Sequence, residues 1–248
     1  MSETNAFQWP AGKRMAVSLS FDDARISQVD VGIPVLDRHG AKGTFYVAFS
    51  RLEERLAGWR AAAAAGHEIA NHSLRHACSA NFVWGARNVL ENYTLEQMES
   101  ELVEASRQIE SLFGVAPRTF AYPCGQDFVG RGLERRSYVP VVAKHFLAGR
   151  GFRDEYLNAP TICDLAKVGG TEMDGLDFDG LLGILNRAMD KGFWVVLAGH
   201  EVGDRGSQCT RVDALDRLCA YCADPANGIW LDTVANIAAY VKANRSEP

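Results

Sequence analysis

The sequence predicts an α/β fold built on a parallel sheet or barrel, and three observations carry that expectation. Short apolar runs alternate with amphipathic stretches along the chain, the order that builds strand–helix–strand units and not an all-α or all-β protein. The later apolar run Phe193 to Ala198 is continuous, as suits a strand buried on both faces. The chain has 248 residues, 47% of them hydrophobic, enough for one large core. Neither a linker nor a repeat of fixed period divides it, so one domain over residues 1–248 is expected.

The first strand, Met15 to Phe21, ends in Asp22-Asp23, two adjacent carboxylates at a strand tip. Gln28 to His39 reads as a helix punctuated by Pro34 and stopped by Gly40. Thr44 to Val47 is the next strand, and Arg51 to Ala65 the next helix, closing in an alanine run before Gly66. His67 to Ala70 is a strand that feeds Asn71-His72-Ser73-Leu74-Arg75-His76. Cys78 to Tyr93 shows no clean period and reads as a long loop carrying Phe82, Trp84 and Tyr93. Thr94-Leu95-Glu96-Gln97 matches a capping box and opens a helix that runs to Gly114. In that helix Met98, Leu102, Ala105 and Ile109 form the inward stripe, while Glu99, Glu101 and Glu104 face water. Thr119 to Tyr122 is a strand. Asp127 to Asn158, rich in Gly and Arg, reads as an insertion with a short helix over Tyr138 to His145. Leu176 to Lys191 returns to helical spacing, and the Phe193 to Ala198 strand delivers His200 at its far end. Helices over Leu215 to Ala223 and Asp232 to Ala243 close the chain, with Asp232 as a cap.

Charge and composition exclude several classes of function. A net charge of −5 without a Lys/Arg cluster argues against nucleic acid and an anionic membrane surface, and favours a neutral or cationic substrate. No stretch of about eighteen apolar residues is present, so no membrane span is expected. Met1 to Pro10 lacks the basic-then-apolar order of a signal peptide, so the chain as written is expected to be cytoplasmic unless a leader was removed. The six cysteines are irregularly spaced and read as mostly reduced thiols, although the even count also permits disulfides. Cys219 and Cys222 form a lone CxxC that suits core packing better than a second metal site.

His72 and His76 stand four apart, spaced to project from one face of a helical loop and hold a metal between two imidazoles. A carboxylate donor is at hand in Asp22-Asp23, because a chain that turns at a strand end can bring adjacent side chains to one site. His67 reads as a structural histidine satisfied by backbone or by Glu68, and His39 and His145 receive the same reading.

At this point the residues carry a family resemblance. Ser20-Phe21-Asp22-Asp23 and His72-Ser73-Leu74-Arg75-His76 resemble the first two motifs of the polysaccharide deacetylases, the NodB-type carbohydrate esterases of family 4. Phe120-Ala121-Tyr122-Pro123-Cys124-Gly125 and Leu197-Ala198-Gly199-His200 resemble the third and fifth. The resemblance implies a distorted (β/α) barrel of about seven β/α units with a divalent metal, Zn2+ for preference, at its mouth. It implies Asp23, His72 and His76 as metal ligands, Asp22 as general base and His200 as general acid. Tyr122 and Cys124 fall in the oxyanion and substrate-binding segment, Cys124 acting through its backbone amide. The implied substrate is an acetylated carbohydrate that loses an N- or O-linked acetyl group, and the loop aromatics would either stack on sugar rings or anchor their loop.

Several positions depart from the family pattern. Ala121 and Cys124 stand where the third motif has an arginine and an aromatic, leaving Arg25, Arg131 or Arg153 to partner Asp22. Ala24 replaces the first motif's terminal glycine. The fourth motif has no clear match, and Asp164 is the candidate partner for His200. A two-His, one-carboxylate set also suits a ferrous oxygenase, but Asp22 and His200 favour hydrolysis. Two rivals remain: a metal-independent hydrolase of cyclic amides on the same fold, against which the pair His72 and His76 speaks, and a carbohydrate-binding pseudoenzyme, against which Asp22 and His200 speak.

Overall fold

The structure, a computed structural model, describes residues 7–83 and 85–246. Its strands are β1 Met15–Asp22, β2 Thr44–Val47, β3 Glu68–Asn71, β4 Thr119–Ala121, β5 Phe128–Val129, β6 Arg136–Ser137, β7 Ala148–Arg150, β8 Gly170–Glu172, β9 Trp194–Gly199, β10 Glu201–Gly203, β11 Cys209–Arg211 and β12 Ile229–Leu231. Its α-helices are α1 Ile33–Arg38, α2 Phe49–Leu52, α3 Leu56–Ala64, α4 Leu95–Phe113, α5 Val139–His145, α6 Phe178–Met189, α7 Val212–Ala223 and α8 Val234–Asn244.

Seven strands pair side by side in the order β7-β4-β3-β2-β1-β9-β8, all parallel. The short β12 pairs with the first half of β1, through Met15 and Ile229, and β2 pairs with the second half, through Ser20 and Thr44. The two ends of the sheet nearly meet. Val168, two residues before β8, donates to Gly149 O at 2.8 Å and accepts from Gly151 N–H at 2.8 Å, bridging to β7. The result is a nearly closed seven-stranded parallel barrel flanked by helices, as the family resemblance implies.

Burial on both faces accounts for the composition of the strands: all eight residues of β1 are buried. The serines within it are satisfied, since Ser20 Oγ donates to Leu197 O at 2.8 Å and Ser18 Oγ accepts from Trp194 Nε1 at 3.1 Å. The capping box of α4 forms as read. Gln97 N–H donates to Thr94 Oγ1 at 3.2 Å, Thr94 N–H donates to Gln97 Oε1 at 2.9 Å, and Gly114 closes the helix at φ 75°. Cys219 and Cys222 pack in the core on α7, and no helix among the described residues is long and apolar enough to cross a membrane.

The structure corrects the sequence reading in several places. Pro34 does not interrupt its helix: it sits in the first turn of α1, where its missing N–H costs nothing, behind a π-type turn over Gln28–Gly32. Glu101 does not face water but is buried, accepting from Tyr93 OH at 2.6 Å and Arg75 Nη1 at 2.9 Å, because the loop after β3 folds over that face of α4. Thr233, not Asp232, caps α8, accepting from Asn236 N–H at 3.2 Å. His67 is structural as expected, but its partners are Gly43 N–H at 3.1 Å and Asp37 at 3.2 Å, while Glu68 serves Thr44, Thr119 and the N–H of Ala235.

Candidate active site

The C-terminal ends of the parallel strands open on one cleft of about 780 Å³, lined among others by Asp22, Asp23, His72, His76, Cys124 and His200. Residues from β1, the loop after β3, the turn after β4 and the end of β9 thus share one rim.

Convergence begins with the backbone. Asp22 is the last residue of β1, and the chain then turns left-handed at Asp23 (φ 74°) and Ala24 (φ 51°), which brings both carboxylates to the cleft. Glycine is the residue that adopts this conformation without strain, which explains its usual place in the motif where Ala24 now stands. The histidine segment is not helical. It is an irregular loop held by its own side chains, with Ser73 N–H donating to Asn71 Oδ1 at 2.8 Å and His76 N–H to Ser73 Oγ at 2.9 Å. Left-handed Ser73 (φ 62°) and His76 (φ 51°) fold it back so that the two imidazole centroids lie 4.8 Å apart.

Asp23 Oδ1 lies 3.7 Å from His72 Nε2 and 3.4 Å from His76 Nε2, and the donor atoms of the three fall within 4.8 Å of one another. The other oxygen, Oδ2, accepts from Arg25 at 2.8 Å. Burial alone would raise the Asp23 pKa, but His72, His76 and Arg25 outweigh it and bring it to about 2. His72 is neutral, its pKa pushed down to about 4 chiefly by burial. Its Nδ1 is 2.9 Å from Ala121 O, and a carbonyl only accepts, so Nδ1 carries the proton and Nε2 presents its lone pair to Asp23. Two imidazoles and one carboxylate in this geometry fit a divalent cation with open coordination positions.

Asp22 is ion-paired with Arg150, which is wholly buried, stacks over Tyr46 and donates to Gly151 O at 2.9 Å. Burial would raise the Asp22 pKa, yet Arg150 first, then His72 and His200, lower it. Neither Arg25, Arg131 nor Arg153 takes this place: Arg25 pairs with Asp23, and Arg153 with Glu172 at 2.7 Å. The reason lies in strand register, for Arg150 on β7 is the partner of Ala121 on β4. The guanidinium has moved one strand along the barrel.

His200 Nδ1 is 2.7 Å from Asp174 Oδ2, while Asp174 Oδ1 accepts from the His200 N–H at 3.2 Å and Thr210 Oγ1 at 2.8 Å. Asp164 is not this partner; it caps the turn Leu165–Lys167 by accepting from Ala166 N–H. Burial would lower the His200 pKa, but Asp174, Asp22 and Asp23 raise it above its ordinary value. Gln28 ties the two arms of the site together, donating to Asp22 O at 2.6 Å and His200 O at 2.8 Å.

The third-motif segment differs from expectation in two ways. Tyr122 is a core residue whose hydroxyl donates to Ala166 O at 2.6 Å, so its ring does not line the cleft. Cys124 lines the cleft but is bonded to Cys78 in a disulfide, while Cys163, Cys209, Cys219 and Cys222 are free thiols. The turn Pro123–Gly125 closes through Gly125 N–H to Tyr122 O at 2.9 Å and Gln126 N–H to Pro123 O at 3.1 Å, and neither bond uses the Cys124 N–H. Of the loop aromatics, Phe82 lines the cleft, Tyr93 bonds Glu101, and Trp84 lies outside the described residues.

Arg25, Arg51, Arg75, Arg87 and Arg153 also line the cleft, three of them ion-paired: Arg25 with Asp23 and Glu201, Arg75 with Glu101, and Arg153 with Glu172. Arg51 and Arg87 have no acidic partner among the described residues.

Comparison with known proteins agrees with this architecture. The family described as Polysaccharide deacetylase matches residues 10–131. A gellan lyase from Bacillus sp is 27% identical over 143 residues, 58% of this chain but 5% of that protein's length. A putative polysaccharide deacetylase from Mycobacterium smegmatis superposes at a TM-score of 0.68 with 20% identity, covering 98% of this chain and 97% of that one. The Puue allantoinase shares the fold at a TM-score of 0.66 with 17% identity, covering 97% and 94% of the two chains. Motif, fold and profile agree: residues 10–131 match the polysaccharide deacetylase family, and the whole chain shares the fold of the Mycobacterium smegmatis protein.

Proposed function

We propose that the protein is a metal-dependent hydrolase that removes N- or O-linked acetyl groups from a carbohydrate. One observation carries the reading: Asp23, His72 and His76 face one another while Asp22 and His200 sit in the same cleft, each held by its own buried partner, Arg150 and Asp174. Asp23 Oδ1, His72 Nε2 and His76 Nε2 would hold the cation, Zn2+ by the nature of the donors. When bound, such a cation supplies Lewis acidity toward water and toward the acyl oxygen.

The remaining work falls to this chain's own groups. Asp22, kept ionised by Arg150, takes the proton of the attacking water as general base. His200, whose Nδ1 is held by Asp174, delivers a proton from Nε2 to the leaving amine or alcohol as general acid. The Cys124 N–H is free of the turn's own hydrogen bonds and donates toward the developing oxyanion. Arg51 and Arg87 in the cleft support a carbohydrate bearing anionic groups, in place of the neutral or cationic substrate inferred from net charge.

The test is acetate release from a panel of neutral and acidic acetylated oligosaccharides, before and after chelation and with divalent cation restored. The reading requires turnover that chelation abolishes and the cation recovers. The allantoinase likeness keeps a second reading in view, hydrolysis of a cyclic amide without metal. Turnover of a cyclic ureide undiminished by chelation would establish that one instead.

A further inference from the structure

The disulfide is the cleft feature to which the proposed hydrolysis gives no task, and it lies against a residue of the proposed cation site. His76 stands between two groups of donors and turns a different ring nitrogen to each. Nε2 is 3.4 Å from Asp23 Oδ1, and Nδ1 is 3.7 Å from Cys78 Sγ. The donor atoms of His76, Cys78 and Cys124 lie within 4.8 Å of one another, as do those of Asp23, His72 and His76. The two trios therefore share one imidazole. Metal is ligated by thiolate, so the second trio is closed to a cation while the sulfurs are bonded to each other. A neutral imidazole offers one lone pair, its other nitrogen carrying the proton, so His76 serves one trio at a time.

We propose that Cys78, Cys124 and His76 Nδ1 form a redox-gated site for a soft divalent cation, which on reduction draws His76 away from Asp23 and His72. The chemistry balances with a phosphine reductant: the S–S bond breaks, the phosphine gives two electrons, water supplies two protons to the sulfurs, and its oxygen leaves in the phosphine oxide. Cation binding then releases both thiol protons to solvent and yields a set of two sulfurs and one nitrogen, suited to Zn2+, Cd2+ or Co2+ over Mg2+ or Ca2+. A hydrogen bond apart from the disulfide joins the two segments, Ser79 N–H donating to Gln126 Oε1 at 2.7 Å, and each cysteine is also fixed locally. Cys78 N–H donates to Asn88 O at 3.1 Å and Cys78 O accepts from Leu90 N–H at 3.1 Å, while Cys124 sits inside the Pro123–Gly125 turn. The inference rests on the proposed function only for the place of His76 in the first site, so its test reads thiolate ligation directly.

The experiment titrates the chelator-stripped chain with Co2+ alone, with and without the phosphine, and follows sulfur-to-cobalt charge-transfer absorption. Oxidised protein should bind Co2+ without that absorption, and reduced protein should develop it with about one Co2+ per chain. Cys78→Ser, Cys124→Ser and alkylation of the reduced wild type should each abolish it, and His76→Ala should weaken the reduced site by roughly 10-fold or more. Alkylation needs no variant to fold. No charge transfer on reduction would overturn the inference. So would a band that survives in both serine variants, which puts the ion on the other cysteines, or one whose affinity is unchanged in His76→Ala. Reduced protein that binds through sulfur while oxidised protein binds no Co2+ would uphold this site and refute the one at Asp23.

Discussion

Replacing Arg150 by methionine should cost far more stability than a surface charge would. Arg150 is fully buried and Asp22 is 4% exposed, so the substitution leaves a carboxylate in the barrel interior without its counter-charge. Breaking a buried pair from one side costs about 3–5 kcal/mol, against about 0–1 for an exposed pair. The double variant Asp22→Asn, Arg150→Met removes both charges and should recover most of that loss, since a buried pair replaced by neutral groups of similar size is often near neutral. Urea unfolding of wild type, both single variants and the double variant gives the cycle. The pH dependence has a definite sign. Asp22 has a lowered folded pKa, so its contribution is present above the ordinary carboxylate value and lost as pH falls through the folded one. Without Arg150, burial acts with less opposition, the pKa rises, and the acid limb of kcat/KM moves to higher pH. An Arg150→Met loss under about 1 kcal/mol, or an acid limb that stays in place, would refute the assignment of Arg150 as the partner that holds Asp22 ionised.

Asp174→Asn should lower turnover by less than the roughly 10²- to 10⁴-fold cost of removing a general acid, and should move the alkaline limb to lower pH. The sign follows because the His200 pKa is raised: its protonated form, and the stability it contributes, are present below the unfolded value and lost as pH rises through the folded one. Asp23→Asn and His76→Ala should each reduce Zn2+ content in a chelator competition, whereas Asp22→Asn should keep the metal and lose roughly 10²-fold or more in kcat. Arg51→Ala with Arg87→Ala should raise KM for acidic acetylated oligosaccharides and flatten its dependence on salt, leaving neutral ones little changed. Cys124→Ala keeps the backbone N–H, so its turnover should fall far less than the about 10²- to 10³-fold that losing an oxyanion donor costs, whereas Cys124→Pro loses both the N–H and the positive φ of 55° and should fall by at least that much.

The parts of the fold legible in the sequence were those with enough residues to show a pattern. Strands β1, β2, β3, β4 and β9 and helix α4 stand within a residue or two of the expected spans, because continuous apolar runs and a capping box are local signals. Strands β7, β8 and β12 carry no such local signal, each only three residues long and two of them containing glycine. Arg150 is hidden with β7, since the run Ala148-Gly149-Arg150 looks like loop until its pairing with Thr119 to Ala121 is known. Asp174 was equally hidden. It follows β8 by two residues, and only the barrel brings it across 26 positions to His200. The Cys78–Cys124 pairing, 46 residues apart, follows from the side-by-side pairing of β3 with β4, which the sequence does not show.

Why two neighbouring aspartates should take different roles also follows from partners that sequence adjacency conceals. Asp22 ends a buried strand, and its Oδ1 is engaged by a wholly buried guanidinium that no solvent reaches, so it is neutralised inside the protein. Asp23, past the left-handed turn, gives Oδ2 to the partly exposed Arg25 and keeps Oδ1 facing two imidazole nitrogens. A cation would therefore meet a free oxygen on Asp23 in line with two lone pairs, whereas on Asp22 it would have to compete with Arg150 in the interior. The remaining oxygen of Asp22, Oδ2, sits 4.0 Å from His72 Nε2, close enough to reach a water held beside that nitrogen without displacing it. Under the proposed function, one backbone turn would thus divide two like side chains between ligand and base. A variant straightening that turn, such as Asp23→Pro, whose φ is confined to negative values, should lose metal and base function together, unlike either asparagine substitution.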